Sequence, residues 1–183
     1  YMLMQLKTAM MEIYFEKKYL LDGDMPEGEK ETYNKILAAN TNEMDLLNSV
    51  KMLSKLLYNY YNRPVMLFID EYDVPIQTAY VEGYYEQAIK FLKTFYGTTF
   101  KDNPYLEKTV LTGVSRVAKE SIFSGANNFK VFTVLDNEFA DDFGITSEEM
   151  DKVIKDFDVV DDKEEIKKWY DGYRIGNIDG IYN

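Results

Sequence analysis

Val65-Met66-Leu67-Phe68-Ile69-Asp70-Glu71 is the stretch that decides the fold. Its apolar run has strand length, and it is apolar at odd and even positions alike. That pattern predicts a strand covered on both faces by helices, the central strand of a parallel sheet. Asn62-Arg63-Pro64 closes whatever precedes it, and Asp70-Glu71-Tyr72-Asp73 with Pro75 ends it, because proline has no N–H to give a ladder. Open α/β sheets bind ligands outside the carboxyl ends of their strands. An Asp-Glu pair at such an end is therefore the first candidate site.

Working upstream, Leu46, Leu47, Val50, Leu53, Leu57 and Tyr60 recur at helical spacing behind an N-cap at Thr41 or Asn42. A short helix is expected over 31–39. Met2, Leu6, Ala9, Met10, Ile13 and Tyr14 line one face of a first helix, which a loop with Gly23, Pro26 and Gly28 ends. Downstream, residues 83–100 read as a helix with Ala88, Ile89, Leu92, Phe95 and Tyr96 inward. A second strand follows at Thr109-Val110-Leu111-Thr112 before Gly113, and a third at Val131-Phe132-Thr133-Val134-Leu135. This alternation is the α/β pattern.

After Gly144 the character changes. Thr146 to Glu149 fits a capping box, Asp161 or Asp162 can cap a helix ending near Tyr170, and Asp171–Asn177 reads as a turn or short hairpin. The expected division is an α/β core over 1–144 and a small helical subdomain over 145–183.

Composition narrows the chemistry. The 183 residues contain neither cysteine nor histidine, so disulfides, Cys/His zinc sites and Ser-His or Cys-His pairs are excluded. Catalysis would have to run on carboxylates, hydroxyls, Lys, Arg and an oxygen-bound metal. A net charge of -11 argues against direct nucleic-acid binding, because Lys17-Lys18 and Lys167-Lys168 are short and interleaved with Glu. No apolar run approaches the roughly 18 residues of a membrane span, and residues 1–10 lack a signal-peptide pattern. A cytoplasmic setting is expected. The chain starts on Tyr1 and stops at Asn183 after a turn-rich segment, so a piece cut at both ends is expected too.

In a P-loop ATPase an acid at a strand end holds the magnesium shell, and a second acid polarises the attacking water. Asp70 and Glu71 could divide those roles. They could equally be a polar strand terminus, with Asp73 capping a turn. Asp70, Glu71 and Asp73 could also form a nuclease-like metal cluster. The Glu-x-Lys such a core needs is matched only by Glu165-Ile166-Lys167, in a predicted helix, while Glu107-Lys108 has the wrong spacing. At the second strand end, Thr112 could sense a γ-phosphate and Arg116 could stabilise phosphoryl charge, with Ser115 and Lys119 beside them. Strand capping and a surface salt bridge are the plainer roles for Thr112 and Arg116. Ser124–Asn128 is a turn by composition. None of the ten glycines is followed by lysine, so the phosphate-cradling loop either precedes Tyr1 or is lost.

Three motifs in order carry a resemblance: Phe68–Ile76, Leu111–Gly125 and Trp169–Tyr173. They resemble the predicted AAA-ATPase-like proteins of anaerobic and gut bacteria, which often carry a C-terminal PD-(D/E)xK nuclease-like domain. The resemblance covers most of the chain from Leu46 onward. It implies a P-loop-NTPase-like parallel sheet with flanking helices, Asp70 and Glu71 as the Walker B pair, and Thr112 at the sensor position. Mg²⁺ and ATP are the implied ligands of the intact protein. Taken with the candidates read from the residues, the expected site has Asp70 and Asp73 toward the metal, Thr112 and Ser115 toward nucleotide, and Glu71 and Arg116 catalytic. The family's upstream Arg-Pro-Arg-Arg-Phe-Gly-Lys-Ser-type loop has no counterpart here, so this piece alone is expected to bind nucleotide weakly and to be inactive. The rival is a non-catalytic scaffold that keeps the fold.

Overall fold

The computed structural model describes residues 1–114, 122–123, 129–158 and 162–182. Ser115, Arg116, Lys119, residues 124–128, where the sequence predicts a turn, and Asp161 lie outside the described residues. The chain forms two compact units, Tyr1–Asn128 and Phe129–Asn183.

In the first unit, α1 (Met2–Glu16), a 3₁₀ turn (Lys18–Asp22), α2 (Glu27–Leu37) and α3 (Glu43–Tyr61) precede strand β1 (Val65–Ile69). Asn42 is the N-cap of α3; its side chain accepts from the Asp45 amide at 2.8 Å, meeting one of the donors that a helix start leaves unpaired. Leu46, Leu47, Leu53 and Leu56 face inward, each stabilising by roughly 1.5–3 kcal/mol on full burial. Asn62, left-handed at φ 50°, ends α3 ahead of Pro64.

Two buried tyrosines tie the helices together. The Tyr14 hydroxyl donates to the Ser49 carbonyl at 2.6 Å, and Tyr33 reaches the Tyr14 carbonyl at 2.8 Å. A Lys55–Glu29 ion pair at 2.5 Å joins α3 to α2.

After β1 come α4 (Val74–Val81), α5 (Tyr85–Phe100) and β2 (Leu106–Leu111). Helix α4 is absent from the sequence reading. Pro75 does not merely end the strand: it sits in the first turn of this helix, where its missing N–H would have had no partner anyway. Ala88, Leu92, Phe95 and Tyr96 of α5 are buried against the same core.

Strands β1 and β2 are parallel, with Leu67 beside Thr109 and Ile69 beside Leu111. The fold is thus mixed α/β with a small parallel sheet. The expectation that β1 is covered on both faces needs correction. Val65, Leu67 and Ile69 are half-buried and Ile69 packs on the core, but Met66 is 50% and Phe68 67% exposed. Among the described residues, helices cover one face.

In the second unit the expected strand at Val131–Leu135 is irregular. The Asp136 carboxylate accepts from the Thr133 amide and hydroxyl, each at 2.8 Å, and the Asp136 amide returns a bond to the Thr133 carbonyl at 3.0 Å. Such side-chain-to-backbone bonds fold the run into a turn and compete with a ladder. Helix α6 (Ser147–Asp156) opens on the capping box: Glu149 accepts from the Thr146 amide and hydroxyl. Those bonds hold the Glu149 carboxyl below its usual range. Helix α7 (Lys163–Tyr170) leads into the antiparallel hairpin β3 (Asp171–Ile175) and β4 (Ile178–Tyr182), whose Tyr182 packs with Met150 and Ile154.

Candidate functional site at the carboxyl ends of β1 and β2

The parallel register delivers both strand ends to one place. The Thr112 amide donates to the Ile69 carbonyl at 2.9 Å, and the Tyr72 amide to the Thr112 carbonyl at 3.1 Å. The backbone that follows each strand is thereby stitched to the other. Across this stitch the Thr112 hydroxyl donates to Asp70 Oδ1 in a short hydrogen bond. Asp70 Oδ1 also accepts from the Glu71 amide at 2.9 Å. Two donors on one oxygen fix the rotamer of an exposed carboxylate.

Glu71 is exposed and left-handed, at φ 51°. For a residue with a Cβ that region is about 1–2 kcal/mol unfavourable. It also releases the chain from strand geometry, so Glu71 need not point to the face opposite Asp70.

Asp73 lies differently. It is 1% exposed, and Gln77 Nε2 donates to its Oδ2 at 2.6 Å. A Cβ built on Gly113 would meet Asp73 Oδ1 at 2.5 Å and the Tyr72 ring at 2.8 Å, so the two loops touch there. Asp73 therefore fills the joint beneath the site, a role no local pattern signals. Among the described residues, no group of three or more acidic side chains could hold a metal ion. Asp70, Glu71 and Asp73 do not converge into a nuclease-like cluster.

Of the expected site residues, the structure brings together Asp70 and Thr112, places Glu71 next to them and buries Asp73. Ser115 and Arg116 fall outside the described residues. Among the described residues, the oxygens at the surface are the Asp70 carboxylate bonded to the Thr112 hydroxyl, with the exposed Glu71 carboxylate next in the chain. That suits Mg²⁺, which keeps most of its waters and binds through one or two carboxylates plus substrate phosphates. It does not suit an ion needing an all-protein cage.

Fold and site define a class: a mixed α/β protein whose parallel strand pair ends in an acid–hydroxyl contact. Residues 5–123 match the predicted AAA-ATPase family, and the chain belongs to that family. It is also 30% identical over 120 residues to the uncharacterized protein in the vnfD 5′ region of Azotobacter chroococcum mcd 1. That match takes in 65% of this chain but only 23% of the relative, so the chain spans far less than the relative's full length. No solved structure matches the chain. No helix among the described residues is long and apolar enough to cross a membrane.

Proposed function

We propose that this chain is the magnesium- and water-positioning part of a P-loop-type ATPase, and that it does not turn over ATP without a phosphate-binding loop. The observation that carries the reading is the Thr112–Asp70 bond, which joins the ends of two parallel strands at the sheet edge where α/β proteins take their ligands. Family membership supports the same assignment.

In this reading Asp70 orients toward the water shell of a magnesium ion, which when bound neutralises charge on the nucleotide phosphates. Thr112 holds Asp70 in that orientation by donating its hydroxyl proton to the carboxylate. Glu71, freed from strand alternation, accepts a hydrogen bond from the attacking water and draws off its proton. Arg116 stabilises phosphoryl charge, and Ser115 contacts nucleotide. Asp73 acts from beneath, keeping the two loops together. A nuclease-like domain in the same protein, and a cytoplasmic site of action, belong to this proposal.

Calorimetry on the 183-residue chain tests it. Mg-ATP binding weaker than micromolar is expected, together with a Gly-Lys-Ser/Thr codon run in the gene upstream of Tyr1. Micromolar, magnesium-dependent affinity in the chain alone would overturn the division of labour. An upstream reading frame without such a loop would favour a scaffold.

A further inference from the structure

Glu71 keeps a left-handed backbone although it is not glycine, and such a residue persists only where its surroundings over-determine it. Its peptide groups are held on both sides. The Glu71 amide donates to Asp70 Oδ1 at 2.9 Å, and the Val74 amide to the Glu71 carbonyl at 3.1 Å. The Tyr72 amide donates to the Thr112 carbonyl at 3.1 Å. Asp70, Glu71 and Thr112 are all exposed, so water competes for these bonds and they do not by themselves anchor the loop to the core.

The anchor is aromatic. The half-buried Tyr72 ring packs on Phe123, with centroids 5.6 Å apart and planes inclined at 56°. Phe123 in turn lies 5.5 Å from Tyr96 of α5, which is 4% exposed and stacks on Phe100 at 5.6 Å. Ile122, buried in the same core, seats Phe123 from within its own segment. The rings of Tyr72, Phe123, Tyr96 and Phe100 thus run in a row from the residue after Glu71 to the buried face of α5. Ring pairs at such separations prefer defined geometries, so the row holds direction as well as area.

We propose that Phe123 is a positioning residue which, acting through Tyr72, sets the place of the Glu71 carboxylate at the strand end. The inference rests on the function proposed above and extends it to a residue outside the acid–hydroxyl contact. A misplacement of about 1 Å, even from a change far from the chemistry, costs roughly 10²-fold in rate. Loss of the Phe123 ring leaves Asp70 and Thr112 in contact, so it acts on kcat and spares nucleotide affinity.

The test compares Phe123→Leu, Phe123→Tyr and Tyr72→Leu with the wild-type full gene product, by ATP hydrolysis and by calorimetry of Mg-ATP binding. Circular dichroism confirms folding, and Tyr72→Leu carries the comparison if Phe123→Leu does not fold. The two leucine variants should lower kcat by roughly tenfold or more. Their Mg-ATP affinity should stay within about twofold of wild type, and Phe123→Tyr, which keeps the ring, should return kcat to within about threefold. In the 183-residue chain, the Tyr72 amide should exchange at least about tenfold faster in Phe123→Leu while the Leu92 amide in α5 stays protected. Unchanged kcat in the leucine variants of an active enzyme would overturn this proposal and leave the roles of Asp70 and Glu71 standing. Parallel loss of affinity and kcat in all three variants, or unchanged exchange at Tyr72, would also overturn it. A wild-type product that hydrolyses no ATP would overturn the functional reading and this proposal with it.

Discussion

The Thr112 hydroxyl donates to Asp70 Oδ1 across the β1–β2 pair, bridging residues 42 apart in the sequence. Thr112→Val keeps the shape and removes the donor. It should lower stability by about 0.5–1.5 kcal/mol, the net value of one hydrogen bond, with Thr112→Ser close to wild type. Urea unfolding followed by circular dichroism measures this, and equal midpoints for Val and Ser would show that the bond contributes nothing.

Glu71 holds a left-handed backbone at φ 51°. Glycine adopts that region freely, while its extra unfolded-state entropy takes back about 0.5–1 kcal/mol. Glu71→Gly should therefore be no less stable than wild type and up to about 1 kcal/mol more stable, whereas Glu71→Ala should gain nothing. A stabilised variant that loses function would mark Glu71 as a residue kept for chemistry. Denaturant midpoints of the two variants decide the stability half.

Gly113 is needed because the Asp73 carboxylate and the Tyr72 ring occupy the space a Cβ would take. Gly113→Ala should destabilise the first unit by about 1–3 kcal/mol through overpacking. Amide exchange should rise first in the segments after β1 and β2. Protection unchanged there would mean that the two loops are not locked to each other.

Burial pushes the Tyr33 and Tyr96 hydroxyls up from 10.0 to about 12. A folded-state pKa above the unfolded one means that the folded protein holds its proton longer. Their contribution is complete below pH 10 and is lost as pH rises toward 12. Unfolding free energy should fall through that window, and Tyr33→Phe should flatten the fall. A pH-independent stability between those values would contradict the burial of these hydroxyls.

β1, β2 and the main helices were legible because their apolar periods are long and regular, and the Thr146–Glu149 box and a cap at Thr41 or Asn42 because caps are local chemistry; the structure selects Asn42. It misled at Val131–Leu135, where apolar content suggests a strand but Asp136 captures Thr133 and turns the chain. Helix α4 was hidden by its short, mostly apolar run, although Pro75 at its start was a usable signal. For the site, the Asp-Glu strand end was legible. The burial of Asp73 was not, because it depends on Gly113 arriving from another strand, and neither was the left-handed turn at Glu71.

In the proposed function Asp70 and Glu71 divide the work at one strand end. The most direct measurement is magnesium-dependent ATP hydrolysis and ATP binding by the full gene product carrying Glu71→Gln or Asp70→Asn. Glu71→Gln should lower kcat by roughly 10²-fold or more while ATP still binds, because only the water-activating base is lost. Asp70→Asn should raise the magnesium concentration needed for binding. Wild-type turnover in Glu71→Gln would contradict that division of roles.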